Sequence, residues 1–170
     1  PLEFIWALLY NESASDKITA YLMEAQRLGL KIYAPDINKS EEFFSMSLPG
    51  EEEGIRFGLA NVTGCGSSAI KEITTKRPFN SFEEFSHKCS KSAVKAPLRE
   101  NLDKVGAFES IGHVSQFDNE KYYLPILGFP IAANQHKTAI DEFVENAVDF
   151  HETMSSITLI KAVVRSTKKA

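Results

Sequence analysis

The sequence has 170 residues, 43% of them hydrophobic, and a formal net charge of −4 at pH 7. This composition excludes an intrinsically disordered chain, and no run approaches the ~20 apolar residues of a membrane-spanning helix. The charge is distributed unevenly along the chain. Residues 1–54 carry four basic and ten acidic side chains, residues 55–112 carry nine basic and six acidic ones, and residues 113–170 carry six basic and seven acidic ones. Only the middle third is basic, so phosphate contacts are expected there.

Two helices and a strand are predicted at the start of the chain. Residues 2–10 are apolar almost throughout and would normally pack under further structure, which indicates a piece of a longer protein. Ser15 is expected to cap a second helix with apolar residues at a spacing of three and four. These residues are Ile18, Tyr21, Leu22, Ala25 and Leu28. Gly29 is expected to end this helix in a left-handed conformation, and residues 30–33 to form a strand.

A β-hairpin is predicted next. Residues 43–48 alternate as a strand does, Pro49 and Gly50 turn the chain, and residues 55–57 form the returning strand. The acidic residues 51–53 are placed at the exposed tip, where a solvated loop is favoured over a metal site.

Short helical units follow the hairpin. Residues 59–62 and 67–73 are predicted to be helical, and Ser81 has the spacing of a capping box with Glu84. Pro97 suits the first turn of a further helix, which ends near Gly106. In the last third, residues 128–130 form a turn, residues 136–153 a helix and residues 157–164 a strand. The expected fold class is mainly α with small β elements.

No catalytic or metal-binding constellation is predicted. Cys65 and Cys89 lack the companion spacing of a zinc site, and reduced thiols are favoured, although a disulfide stays open. Asp141 and Glu145 lie one helical turn apart, where a solvated face explains them better than a metal pair. All four histidines are expected to be exposed. They are His87, His113, His136 and His151.

The most informative motif is an apolar residue followed by Gly64-x-Gly66-x-x-Ala69. Two glycines allow a sharp turn and a close approach, and the free amides of the helix that follows form an anion site. A turn between two packed helices that binds nothing is one alternative. A dinucleotide-binding turn is another, but it needs a strand before the glycines. The predicted phosphate-contacting residues here are Thr63, Gly64, Cys65, Gly66, Ser67 and Lys71.

The order of segments resembles the bacterial C-family DNA polymerases, the alpha subunit of polymerase III. The resemblance runs from the end of the fingers region through a helix-hairpin-helix region to the start of an OB-fold. Its matching stretches are residues 1–9, 16–18, 25–32, 35–40, 43–45, 55–59, 78–85 and 105–112.

This resemblance implies a tandem helix-hairpin-helix domain in residues 43–112, with the end of the fingers in residues 1–42. Residues 113–170 would hold a linker helix and the start of the OB-fold. It further implies that Gly106 belongs to a second, degenerate hairpin and that DNA and other polymerase domains are the partners. Mg²⁺ would serve the parent cytoplasmic polymerase, whose catalytic aspartates are absent here, so no cofactor is expected in this chain.

The segment after Gly112 is shorter than in the family. Only residues 115–118 remain where the cellular polymerases carry their clamp-binding peptide, and they lack the aliphatic residue between Gln116 and Phe117. This argues against a sliding-clamp partner. The expected function is a non-catalytic DNA-binding segment of a replicative polymerase that makes sequence-independent phosphate contacts. A protein–protein scaffold in a replication or repair complex is the alternative.

Overall fold

The computed structural model describes residues 1–10 and 12–131, and within them helices predominate. The α-helices are α1 (Leu2–Tyr10), α2 (Ser15–Arg27), α3 (Ser67–Lys76), α4 (Phe82–Lys88), α5 (Ala96–Lys104) and α6 (Glu120–Leu127). The strands are β1 (Lys31–Tyr33), β2 (Ser45–Met46) and β3 (Gly54–Arg56), and single 3₁₀ turns lie at Leu59–Asn61 and Glu109–Ile111.

The predicted fold class, mainly α with small β elements, is confirmed. None of the helices in the described residues is long and apolar enough to cross a membrane. The helix and strand predicted for residues 136–153 and 157–164 lie outside the described part. The predicted domain boundaries after residues 42 and 112 stay predictions.

The start of α2 differs from the expectation. Ala14, not Ser15, is its N-cap residue, and no side chain caps the helix. The carboxylate of Glu12 instead accepts hydrogen bonds from the amides of Ser13 and Ala14, at 2.9 and 3.0 Å. The predicted end is confirmed, because Gly29 has a φ of +77°. Its amide and the next donate back into the helix, as left-handed caps do.

The three strands form one small sheet in the order β1-β3-β2. β2 and β3 pair antiparallel, which confirms the predicted hairpin, and β1 pairs parallel with β3. Gly54 is required at this junction, because a Cβ there would lie 2.1 Å from the backbone oxygen of Lys31. The sequence predicted β1 but not its neighbour in the sheet.

The acidic loop is more structured than predicted. Both oxygens of Glu51 accept from Arg56, at 2.7 Å, and one accepts from Lys39 at 2.9 Å. Arg56 is only 4% exposed and lies over the ring of Tyr33. Burial raises the pKa of Glu51, but the Leu48 amide and the two cations outweigh it and lower that pKa to about 2. Glu51 is therefore an anchor of the sheet.

The core extends from α1 and the sheet to a cluster of phenylalanines under α4. Phe79, Phe85 and Phe108 are buried, and their rings lie about 5 Å from their neighbours. Ser81 caps α4 as predicted, by accepting from the Glu84 amide. His113 was predicted to be exposed, but its side chain is partly buried. It stacks on Phe82, with 4.5 Å between ring centroids, and lies 3.1 Å from a carboxylate oxygen of Asp103.

Candidate nucleic-acid interface

The first glycine of the motif shapes a tight turn. The amide of Cys65 donates to the oxygen of Val62 at 2.9 Å, and Gly64 has a φ of +87°. That conformation is costly for residues with a Cβ. No atom of the described residues lies within 4 Å of where a Cβ of residue 64 would stand, so the requirement for glycine comes from the backbone angle.

The second glycine has no such requirement. Gly66 is the N-cap of α3 with φ −81° and ψ 171°, an extended conformation that any residue adopts. A Cβ at Gly66 would also have no neighbour within 4 Å in the part of the chain that the structure describes. The amides of Ser67 and Ser68 lack intrahelical acceptors because they lie in the first turn of α3. No side chain of the described residues caps the helix in their place. These exposed amides lie at the positive end of the helix dipole.

The remaining two residues of the hairpin hold it in place. The hydroxyl of Thr63 donates to the oxygen of Ile126 in α6, and the side-chain amide of Asn101 in α5 donates to the oxygen of Thr63, both at 2.9 Å. Cys65 is 7% exposed, and burial raises the pKa of its thiol to about 11. Its side chain faces the core and leaves only backbone for an external partner. Both cysteines are free thiols, as predicted.

Three lysines in the described residues have side chains without a hydrogen bond or ion pair. They are Lys71, Lys91 and Lys95, all exposed and all in the basic middle third. The other described lysines and the arginines are held by carboxylates or backbone oxygens. Glu72 accepts from the amide of Ser90 at 2.9 Å, which holds the loop of Lys91 against the helix of Lys71. Sequence reasoning identified Lys71 but missed the other two lysines and Asn101.

The turn at Gly106 is built differently. Gly106 has a φ of +72° and ends α5, and the element after it is a single 3₁₀ turn. A Cβ at Gly106 would lie 2.6 Å from a carboxylate oxygen of Glu109 and 2.7 Å from the side-chain nitrogen of Asn119. These two side chains also bond to each other at 2.7 Å. The carboxylate of Glu109 therefore covers the surface of this turn.

No group of three or more histidine, cysteine or acidic side chains in the described residues could hold a metal ion. The candidate clamp peptide is partly engaged within the chain itself. The ring of Phe117 packs edge-on against Tyr122 and lies 5.2 Å from the ammonium of Lys104.

Comparison with known proteins agrees with this geometry. The family model described as the helix-hairpin-helix motif matches residues 29–116. DNA polymerase III subunit alpha of Saccharopolyspora erythraea is 36% identical over 118 residues, 66% of this chain and 10% of that protein. The Thermus aquaticus subunit is 36% identical over 117 residues, 66% of this chain and 9% of its own. The Campylobacter jejuni subunit is 30% identical over 125 residues, 70% of this chain and 10% of its own.

The chain thus spans about a tenth of the length of these curated relatives. The resemblance to a segment of the polymerase III alpha subunit is confirmed by this similarity over two thirds of the chain. Because the family match covers more than half of the 170 residues, the chain belongs to the helix-hairpin-helix family.

Proposed function

We propose that this chain binds DNA through sequence-independent phosphate contacts at the hairpin of residues 63–67. It would act as a non-catalytic segment of a replicative DNA polymerase and help to hold the template–primer duplex. Helix-hairpin-helix turns suit this role, because outward backbone amides contact phosphates without reading bases.

The observation that carries the proposal is Gly66. Neither its backbone angles nor its surroundings among the described residues require glycine, and an aspartate or serine there would cap α3 better than glycine does. A missing side chain at an exposed, uncapped helix N-terminus leaves room for an external group to approach the Ser67 and Ser68 amides. A phosphate is the group that such amides and the helix dipole favour.

The unpaired lysines support the same reading. No carboxylate of the described residues pairs with Lys71, Lys91 or Lys95, so their charges are available to a polyanion. Together with the hairpin amides they provide about two to four phosphate contacts, which corresponds to a dissociation constant of roughly 10⁻⁴ M or weaker at physiological salt. The net negative charge of residues 1–54 should lower the affinity for DNA further.

We assign the main contact to the first hairpin and not to the second. The carboxylate of Glu109 lies over the turn at Gly106, and its negative charge would repel a phosphate that approached this turn.

The proposal is tested by fluorescence anisotropy with labelled duplexes of two unrelated base sequences. The expected result is weak binding that is equal for both sequences. Affinity should fall by about 10- to 150-fold between roughly 50 and 200 mM salt, as two to four phosphate contacts predict. An affinity that does not change with salt would contradict a phosphate-led mode.

A protein scaffold is the second candidate function, and the acidic, aromatic surface of the N-terminal part favours it. A pure scaffold predicts no measurable DNA affinity at the lower salt concentration, so the same titration separates the two candidates.

A further inference from the structure

A groove near the N-terminus lies apart in sequence from the hairpin of residues 63–67. Its volume is about 290 Å³, and it is lined chiefly by Trp6, Tyr10, Glu41, Glu42 and Phe43. These five residues are called the aromatic groove below. Tyr10 and Phe43 are 46% and 47% exposed, so two large rings face solvent.

The three rings form adjoining walls. The centroids of Trp6 and Tyr10 are 5.2 Å apart with planes inclined by 52°, and those of Tyr10 and Phe43 are 6.0 Å apart with planes inclined by 75°. The indole nitrogen of Trp6 donates to the oxygen of Phe44 at 2.9 Å, which fixes the orientation of the ring. Inclined ring faces around a concave space are the geometry in which aromatic side chains attract a cation.

Two carboxylates complete the aromatic groove. Glu41 and Glu42 are both exposed, and neither side chain forms a hydrogen bond or an ion pair within the described residues. Four other acidic side chains of residues 1–54 each have a cationic partner: Glu12, Glu24, Glu51 and Glu52. Glu41 interacts electrostatically with the guanidinium of Arg77, so Glu42 is the carboxylate of the aromatic groove for which the described residues show no cationic partner.

We propose that the aromatic groove binds an arginine side chain presented by a partner polypeptide. A guanidinium stacks on aromatic faces and pairs bidentately with carboxylates, so it satisfies both features at once. The carboxylates exclude a phosphate or a nucleic acid from the same place. This surface would make the segment a docking point for protein as well as a contact for DNA, and it does not depend on the proposed function.

Trp6 is the only tryptophan of the chain, so its indole resonance and its fluorescence report on the aromatic groove alone. The full chain is titrated with N-acetyl-arginine amide and, in parallel, with the uncharged isostere N-acetyl-citrulline amide. The expected result is a saturable shift of the indole N–H resonance with the arginine compound. The citrulline compound should bind at least about tenfold more weakly, because it lacks the cation.

Variants separate charge from ring stacking. The double change Glu41→Gln and Glu42→Gln should weaken arginine binding by about tenfold. The matched change Glu53→Gln and Glu83→Gln alters the net charge equally at exposed positions outside the aromatic groove and should leave binding unchanged. Phe43→Ala, at a half-exposed position, should also weaken binding by about tenfold.

Equal shifts with arginine and citrulline would overturn the proposal. So would unchanged arginine binding in the Glu41→Gln, Glu42→Gln variant or in Phe43→Ala. A shift of the Trp6 resonance with a DNA oligonucleotide that competes with the arginine compound would also overturn it, because the aromatic groove would then be a nucleic-acid surface.

Discussion

Replacing Gly66 with aspartate should stabilise the protein and weaken its binding to DNA. Gly66 already has the extended backbone of an N-cap residue, so Gly66→Asp introduces no strain. The new carboxylate can accept from the free amides of α3, a gain of a few tenths of a kcal/mol over glycine. The interaction of the carboxylate with the helix dipole and the reduced conformational freedom of the unfolded chain each add a further fraction of a kcal/mol. The sum is about 1 kcal/mol, which corresponds to a rise in Tm of roughly 2–4 °C.

The same carboxylate should remove the phosphate site. It occupies the amides that a phosphate would use, and it repels a second anion. We expect DNA affinity to fall by at least about tenfold at low salt, and the slope of log K against log salt to fall by about 0.9, as for one lost phosphate contact. The measurements are thermal unfolding and the anisotropy titration at several salt concentrations.

Two control variants isolate the cause. Gly66→Ser caps the helix without adding charge and should weaken binding by less than aspartate does. Gln116→Glu adds an equal charge at an exposed position outside the hairpin and should have only a small effect. If Gly66→Asp is more stable than the parent yet binds DNA equally well at every salt concentration, the hairpin is not the phosphate site.

Three further results follow from the described contacts. Lys71→Ala should leave Tm unchanged and lower the salt slope by about one, measured by the same anisotropy titration. Glu51→Gln should cost about 3 kcal/mol at pH 7, because the pKa of Glu51 is lowered to about 2. The contribution of this carboxylate is complete above about pH 5 and is lost as the pH falls towards 2, so thermal unfolding of parent and variant should converge in acid. Gly106→Ala should destabilise the fold by about 1–3 kcal/mol in denaturant unfolding, because φ is positive there and this conformation is costly for a residue with a Cβ.

Local sequence patterns predicted much of the fold. The apolar residues of α2 recur at helical spacing, Pro49 and Gly50 mark the β-hairpin, and Ser81 caps α4. Each of these signals depends on neighbours within a few residues, where propensity and capping act directly. The turn at the glycine motif and the helix that follows it were predicted on the same basis.

Features that depend on distant parts of the chain were not predicted. Nothing local to Lys31 indicates that its strand would pair with β3, and nothing near Gly106 indicates that Asn119 would help to cover it. From the motif, the same role in the sharp turn was predicted for both glycines. Only the backbone angles separate them, because Gly64 is required by a positive φ whereas Gly66 is not.

The two hydrogen bonds of Thr63 have a consequence for the entropy of binding. They tie the hairpin to α5 and α6 through Asn101 and Ile126, so the turn is held in one conformation before any ligand arrives. A free loop would lose conformational entropy when it closes around a phosphate, and that loss would subtract from the affinity. Here folding has already ordered the backbone, so the few phosphate contacts that we propose for the hairpin would contribute more fully to the affinity for DNA.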